Sequence, residues 1–182
     1  DNFLDAHRGD HMMELCGKLG IIRSILDAEQ HSTLWARPQD GGSFNLNNLA
    51  GSWYIGFLNM LVEGVPRQEA DKVFDIISIV TFNYDRCIEH FIVQALADYY
   101  GLEAAHAQSI AAKLPIYHPY GKVADLQWQA AATHVPFGSD RCNLLDVVPQ
   151  IKTFTEGMDD DEMRSKINDA MIEAETTTPK SP

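Results

Sequence analysis

Basic residues are scarce in this sequence of 182 residues: 14 lysines and arginines stand against 26 aspartates and glutamates, a formal net charge of −12. A chain so acidic gains nothing from a phosphate backbone or an anionic lipid headgroup, so neither nucleic acid nor a membrane surface is an expected partner. Cysteine is sparse too. Cys16, Cys87 and Cys142 are odd in number, far apart and without a C-x-x-C pair. That argues against a disulfide framework and a structural zinc site, and predicts ordinary thiols in a reducing cytoplasm. No apolar run nears the roughly 20 residues that cross a bilayer. The first ten residues have neither the basic start nor the apolar centre of a secretory signal. With no initiator Met, the sequence reads as a cytoplasmic piece of a longer protein.

What is present suits one globular domain. The hydrophobic content of 45% and the chain length allow a single sizeable core. Half of the acidic excess lies in one stretch, where eight carboxylates between Glu156 and Glu175 face only Arg164 and Lys166. The run Asp159-Asp160-Asp161-Glu162 stands where carboxylates favour a helix start, and Asp159 with Glu162 has capping-box spacing. The helix that follows carries Ile167, Ala170, Met171 and Ala174 on one face. Residues 176–182, polar with two prolines, read as a disordered tail after a single domain over 1–175.

Apolar periodicity supplies the other elements. Leu15, Leu19, Ile22, Ile25 and Leu26 predict a helix over 11–29. Leu46, Leu49, Trp53, Phe57 and Leu61 predict a second, ending near Gly64 and Pro66. The β-branched run Ile76 to Phe82 has the composition of a buried parallel strand. Ile88, Phe91, Ile92, Leu96 and Tyr99 then mark a helix closed by Gly101, and an Ala-rich helix covers 102–113. Leu114 to Val123 reads as a short strand running into a turn, its prolines confined to the strand end. Residues 124–142 have no clear period, and an apolar cluster, Leu144, Leu145, Val147 and Val148, follows. Strand, helix, helix, strand, helix implies an α/β fold: a few-stranded, mostly parallel sheet with flanking helices, in a helix-rich fragment.

Ligands of open α/β sheets bind beyond the carboxyl ends of the strands. Thr81-Phe82-Asn83-Tyr84-Asp85 ends the first strand, where Asn83 and Asp85 offer an amide and a carboxylate to sugar hydroxyls or a fixed water. The plainer alternative makes them turn and N-cap residues of the next helix. On the second strand His118 and Tyr120 stand at i and i+2, a spacing that puts both rings on one face. A histidine is the natural general base near neutral pH; the alternative is a partly buried ring bonded to backbone. His7 and His11 at i, i+4 have metal-pair spacing on a helix, but Gly9 between them favours a solvated chain end, and no metal site is expected. Trp35, Trp53 and Trp128 read as core or rim aromatics.

Ile79-Val80-Thr81-Phe82-Asn83-Tyr84-Asp85-Arg86-Cys87-Ile88-Glu89 resembles the T-x-N-x-D element of sirtuins, and more closely the T-x-N-Y-D…E form of bacterial sirtuin-like (SIR2-like) domains. Ile116-Tyr117-His118-Pro119-Tyr120-Gly121-Lys122 resembles the strand that ends in that family's His-Gly dipeptide. The resemblance spans roughly residues 45–175 and implies a Rossmann-like fold that binds NAD as substrate or ligand. Carried over, it implies Asn83 and His118 as catalytic residues and Thr81, Asn83, Asp85 and Tyr120 as the NAD site. Phe82 replaces the family's glutamine, Tyr120 stands where the family has histidine before the glycine, and the Gly-Ala-Gly phosphate loop is missing. The four-cysteine zinc module of the deacylases is missing as well, which favours hydrolysis of NAD at the nicotinamide–ribose bond over lysine deacylation. Without the glycine loop, the chain itself is expected to bind NAD weakly or not at all. The alternative is a degenerate nucleotide-binding, oligomerisation or interaction domain. Expected partners are NAD or a related nucleotide, a second copy of the chain, or an effector domain in the same polypeptide.

Overall fold

The computed structural model describes residues 6–7, 9–36, 43–129, 133–139, 141–158 and 160–177. Within them, helix α1 (His11–Gln30) opens on Asp10, whose carboxylate accepts from the Met12 and Met13 backbone N–H groups. His7 therefore lies outside the helix, and His11 begins it, so the two imidazoles do not share one helical face. Among the described residues no cluster of three or more metal-ligating side chains occurs.

The second expected helix is broken in two. A 3-10 turn (Leu46–Leu49) capped by Asn45 precedes helix α2 (Trp53–Val62), and Gly51 between them takes φ +81°. A further 3-10 segment (Arg67–Lys72) leads to strand β1 (Ile79–Val80). Helix α3 (Cys87–Tyr100) follows and stops at Gly101, which adopts the left-handed conformation expected of a terminating glycine. Helix α4 (Ala104–Ala111) then returns the chain to strand β2 (Ile116–Tyr117). The strands pair in parallel, Ile79 with Ile116 and Val80 with Tyr117.

The fold is thus helix-rich with a small two-stranded parallel sheet. The strand expected over 76–82 is reduced to two residues. Ile76 belongs to a turn and is 82% exposed, and the ladder needs only Ile79 N donating to Pro115 O and Thr81 N donating to Tyr117 O.

Leu58, Leu61, Phe91, Ile92, Leu96, Ala107 and Ile110 form the main core beneath the sheet, joining α2, α3 and α4. Ile22 and Leu26 of α1 make a second cluster with Val123, Val135, Val147 and Ile151. The described residues of 124–142 keep to loops, tied by an isolated bridge between Asp125 and His134. Beyond them lie helix α5 (Leu144–Val147), a 3-10 turn (Val148–Gln150), helix α6 (Phe154–Met158) and the acidic helix α7 (Asp161–Thr177). Asp160 caps α7 by accepting from Met163 N at 2.9 Å. Asp159, expected in that role, and the tail beyond residue 177 lie outside the described residues. Met163, Ile167 and Ala170 are half-buried, whereas Met171, expected on the same inner face, is exposed. No helix among the described residues is long and apolar enough to cross a membrane.

Candidate functional site

Where β1 ends, the backbone is pinned from both sides. Thr81 N is held by β2, and the Thr81 hydroxyl accepts from Asn83 N at 3.3 Å. Two residues on, an Asp85 carboxylate oxygen accepts from Cys87 N at 3.0 Å and starts α3. Asp85 thereby holds the turn ahead of α3, whose N-cap position is Arg86. Its carboxylate also forms part of a cavity of about 160 Å³, together with Thr81, Asn83, Ile88 and Glu89 from the same motif and Trp53 and Tyr54 from α2. The exposed Asn83 side chain stands at this cavity, with no partner for its amide among the described residues.

Behind the cavity lies a buried charge network. Glu89, in the first turn of α3, is 2% exposed. Its Oε1 lies 3.0 Å from His118 Nε2 and accepts from Lys122 Nζ at 3.3 Å, and Lys122 also pairs with Asp125 at 2.7 Å. His118 Nδ1 donates to Asn83 O at 3.1 Å. Both ring nitrogens thus lie within hydrogen-bond distance of oxygen atoms, which fixes the ring at both ends. Burial alone would raise the Glu89 pKa, but the hydrogen bond and charge of His118, then Lys122, outweigh it and hold the carboxyl below its ordinary range. Glu89 Oε2 has no hydrogen-bond partner among the described residues.

Neighbouring groups are kept neutral. Burial, then the charge of Asp85, pushes the Cys87 thiol well above its ordinary pKa, so it is no nucleophile. Burial, then Cys87, likewise raises Tyr54. Cys16, Cys87 and Cys142 are not joined in disulfides.

The structure brings Thr81, Asn83 and Asp85 to one cavity but separates His118 from Tyr120. Their expected common strand face does not form, because β2 ends at Tyr117 and Pro119 and Tyr120 make a turn. The His118 ring turns inward to Glu89, while the Tyr120 ring packs against Phe82 and Phe154, with centroids 5.9 and 5.8 Å away. Gly121 after it, at φ +79°, passes so close to Gln150 that a Cβ would lie 1.7 Å from the Gln150 carbonyl oxygen.

Sequence reasoning named Glu89 only as part of a motif. Its signal was nonetheless present: Glu89, Ile92 and Leu96 share one buried stripe of α3, where a carboxylate needs a reason to be. A larger cleft, of about 800 Å³, lies elsewhere, with Trp35, Trp128, His90 and Phe137 among its walls. None of the motif side chains is among its lining residues. Compared with family models, curated proteins and solved structures, the chain matches none.

Proposed function

We propose that the cavity beyond β1 holds the nicotinamide–ribose end of NAD, and that a Rossmann-like, sirtuin-type domain containing it hydrolyses the bond between nicotinamide and ribose. The observation that carries this reading is the convergence of Thr81, Asn83, Asp85 and Glu89 on one cavity at the carboxyl end of a parallel strand, where α/β sheets bind ligands. The Asn83 amide and the Asp85 carboxylate at the cavity suit the hydroxyls of a sugar. The cavity's size also limits what enters. At about 160 Å³ it falls below the roughly 300–1,000 Å³ of pockets that enclose whole drug-sized ligands. It fits one ring, and the rest of the dinucleotide lies outside it.

In the reaction the C–N bond to nicotinamide breaks with its electron pair leaving on the ring. Water adds to the ribose carbon and releases a proton. Asn83 orients the ribose or the incoming water, and Asp85 accepts from a ribose hydroxyl while its other bond holds the turn. Thr81 fixes the backbone that presents Asn83. His118 acts through Glu89, since its ring is buried with both nitrogens engaged; it positions rather than meets the substrate. Tyr120, packed on Phe82 and Phe154, is assigned no part.

Nicotinamide release from millimolar NAD tests the reading. Asn83→Ala is expected to slow release by on the order of 10²-fold, the scale of a lost positioning or proton-transfer group. Unchanged release in the Asn83→Ala, His118→Ala double variant would sink the catalytic assignment. A second reading is a domain that binds nucleotide or assembles without turnover. It is favoured by Tyr120 in place of the family's histidine and by the absence of the His118 ring from the cavity wall. Bound NAD with no nicotinamide released would support it.

A further inference from the structure

We infer that the cleft of about 800 Å³ at the end of α1 binds a flat, fused-ring aromatic carboxylate. It shares no lining residue with the cavity beyond β1, and the inference does not depend on riboside binding there. The cleft's size is that of pockets enclosing a whole small molecule. Its first support is a set of rings held ready. Trp35 belongs to neither hydrophobic cluster. Its indole lies instead against the backbone of Gly138, where a Cβ would come within 2.4 Å of the ring. Gly138 is itself fixed, because its N–H donates to the buried Glu29 carboxylate at 3.1 Å. Beside it Phe137 stacks on His90 with centroids 4.0 Å apart and planes 1° from parallel, and His90 Nε2 is bonded to Leu34 O. Trp128, half-buried, is a further aromatic wall. Rings positioned by buried backbone contacts cost little to order when a flat ligand stacks on them.

The second support is charge. The chain carries 26 aspartates and glutamates, yet none is among the described residues that line this cleft, and Arg141 is the one lysine or arginine there. The loop carrying Arg141 is held by its backbone N–H, which donates to the Ser139 hydroxyl at 3.2 Å. The exposed guanidinium has no carboxylate partner among the described residues, and its planar fork matches a carboxylate with two parallel hydrogen bonds. The third support is the neutral polar lining. Gln30, Gln108 and Gln127 bring carboxamides from three separate segments. Each both donates and accepts, which suits hydroxyl or amino substituents on a ring and adds no charge that would repel an anion.

Hydroxynaphthoate, the matching hydroxynaphthamide and cyclohexanecarboxylate are titrated into the ¹⁵N-labelled chain, and affinities are taken from the indole N–H signals. Trp53, which lines the other cavity, serves as the internal control. Hydroxynaphthoate is expected to move the Trp35 and Trp128 signals saturably and to leave Trp53 in place. It should bind at least about tenfold more tightly than either of the others, the scale of one charge-assisted hydrogen bond or one ring stack. Arg141→Gln, a change at an exposed position, is expected to remove the advantage over the amide. The three-ligand comparison on the unchanged chain stands without that variant. Equal affinity for the amide overturns the charge selection, and equal affinity for cyclohexanecarboxylate overturns the stacking. Unmoved Trp35 and Trp128 signals, or a Trp53 signal that moves in step with them, overturn the site itself.

Discussion

Charged residues placed in register with apolar ones define the most consequential positions of this chain. Glu29 continues the buried stripe of Ile22 and Leu26 on α1 and meets Arg86 with both side chains fully buried. Arg86 also donates to Val135 O, and Glu29 accepts from Arg86 N and Gly138 N, so the pair fastens the motif to α1 and to the loop over 133–139. Breaking such a pair from one side strands a charge. Glu29→Ala is expected to cost about 3–5 kcal/mol in urea unfolding, whereas Lys166→Ala, which removes the exposed Glu162–Lys166 pair of α7, should leave the midpoint unchanged.

His90 provides the pH-dependent counterpart. Burial, with a smaller push from Arg86 and against its bond to Leu34 O, lowers its pKa to about 4. The unfolded chain, with histidine near 6.5, then binds more protons between those values. Stability is complete above about pH 6.5 and falls as the pH drops toward 4, by roughly 3 kcal/mol from this residue. Glu89, held below its ordinary range, adds a loss in the same direction only as the pH falls below the usual carboxylate range. Urea midpoints measured between pH 7 and 4 should show this decline, and His90→Gln should flatten its upper part.

At the scale of elements, the long helices were legible in extent, and the strands in position and parallel direction but not in length. The helices α1 and α3 end within two residues of their expected limits, because a 3.6-residue stripe over several turns is a repeated signal. The strand over 76–82 is shortened to Ile79–Val80, which pairs with β2 alone among the described residues: Ile76 and Phe82 are apolar but exposed, and no ladder extends to them. Gly51 and Ser52 broke the second helix, which apolar spacing alone does not register. The shared face of His118 and Tyr120 failed for a related reason, since a strand ending at Tyr117 gives them no common pleat.

Gly121 shows what the turn after β2 demands. A side chain there meets the Gln150 carbonyl at 1.7 Å, whereas at Gly64, also at positive φ, nothing lies within 4 Å. Gly64→Ala should cost about 1 kcal/mol for the backbone alone, and Gly121→Ala about 3 kcal/mol or more from the added collision. Thermal unfolding of the two variants checks the contrast.

For the molecule as a whole, the charge proved local. The acidic excess is concentrated on α7 and its approach, where Asp160 caps the helix and pairs with Lys152, and Glu156 pairs with Lys18 at 2.8 Å. The cavity owes little to that excess. Its residues Thr81, Asn83 and Asp85 were legible because they fall within five positions, while Trp53, Tyr54, His118 and Lys122 come to it or its buried network from distant segments, which no local pattern encodes. The Glu29–Arg86 pair, separated by 57 residues, was invisible for the same reason.

The claim that this cavity is where NAD engages the chain is tested most directly by titrating millimolar NAD into ¹⁵N-labelled protein and mapping the amide and indole shifts. The expected result is weak, saturable perturbation centred on Thr81, Asn83, Asp85 and Glu89 with the Trp53 indole, lost in Asn83→Ala. Perturbation centred instead on the Trp35 and Trp128 cleft, or none along Thr81 to Glu89, would contradict it.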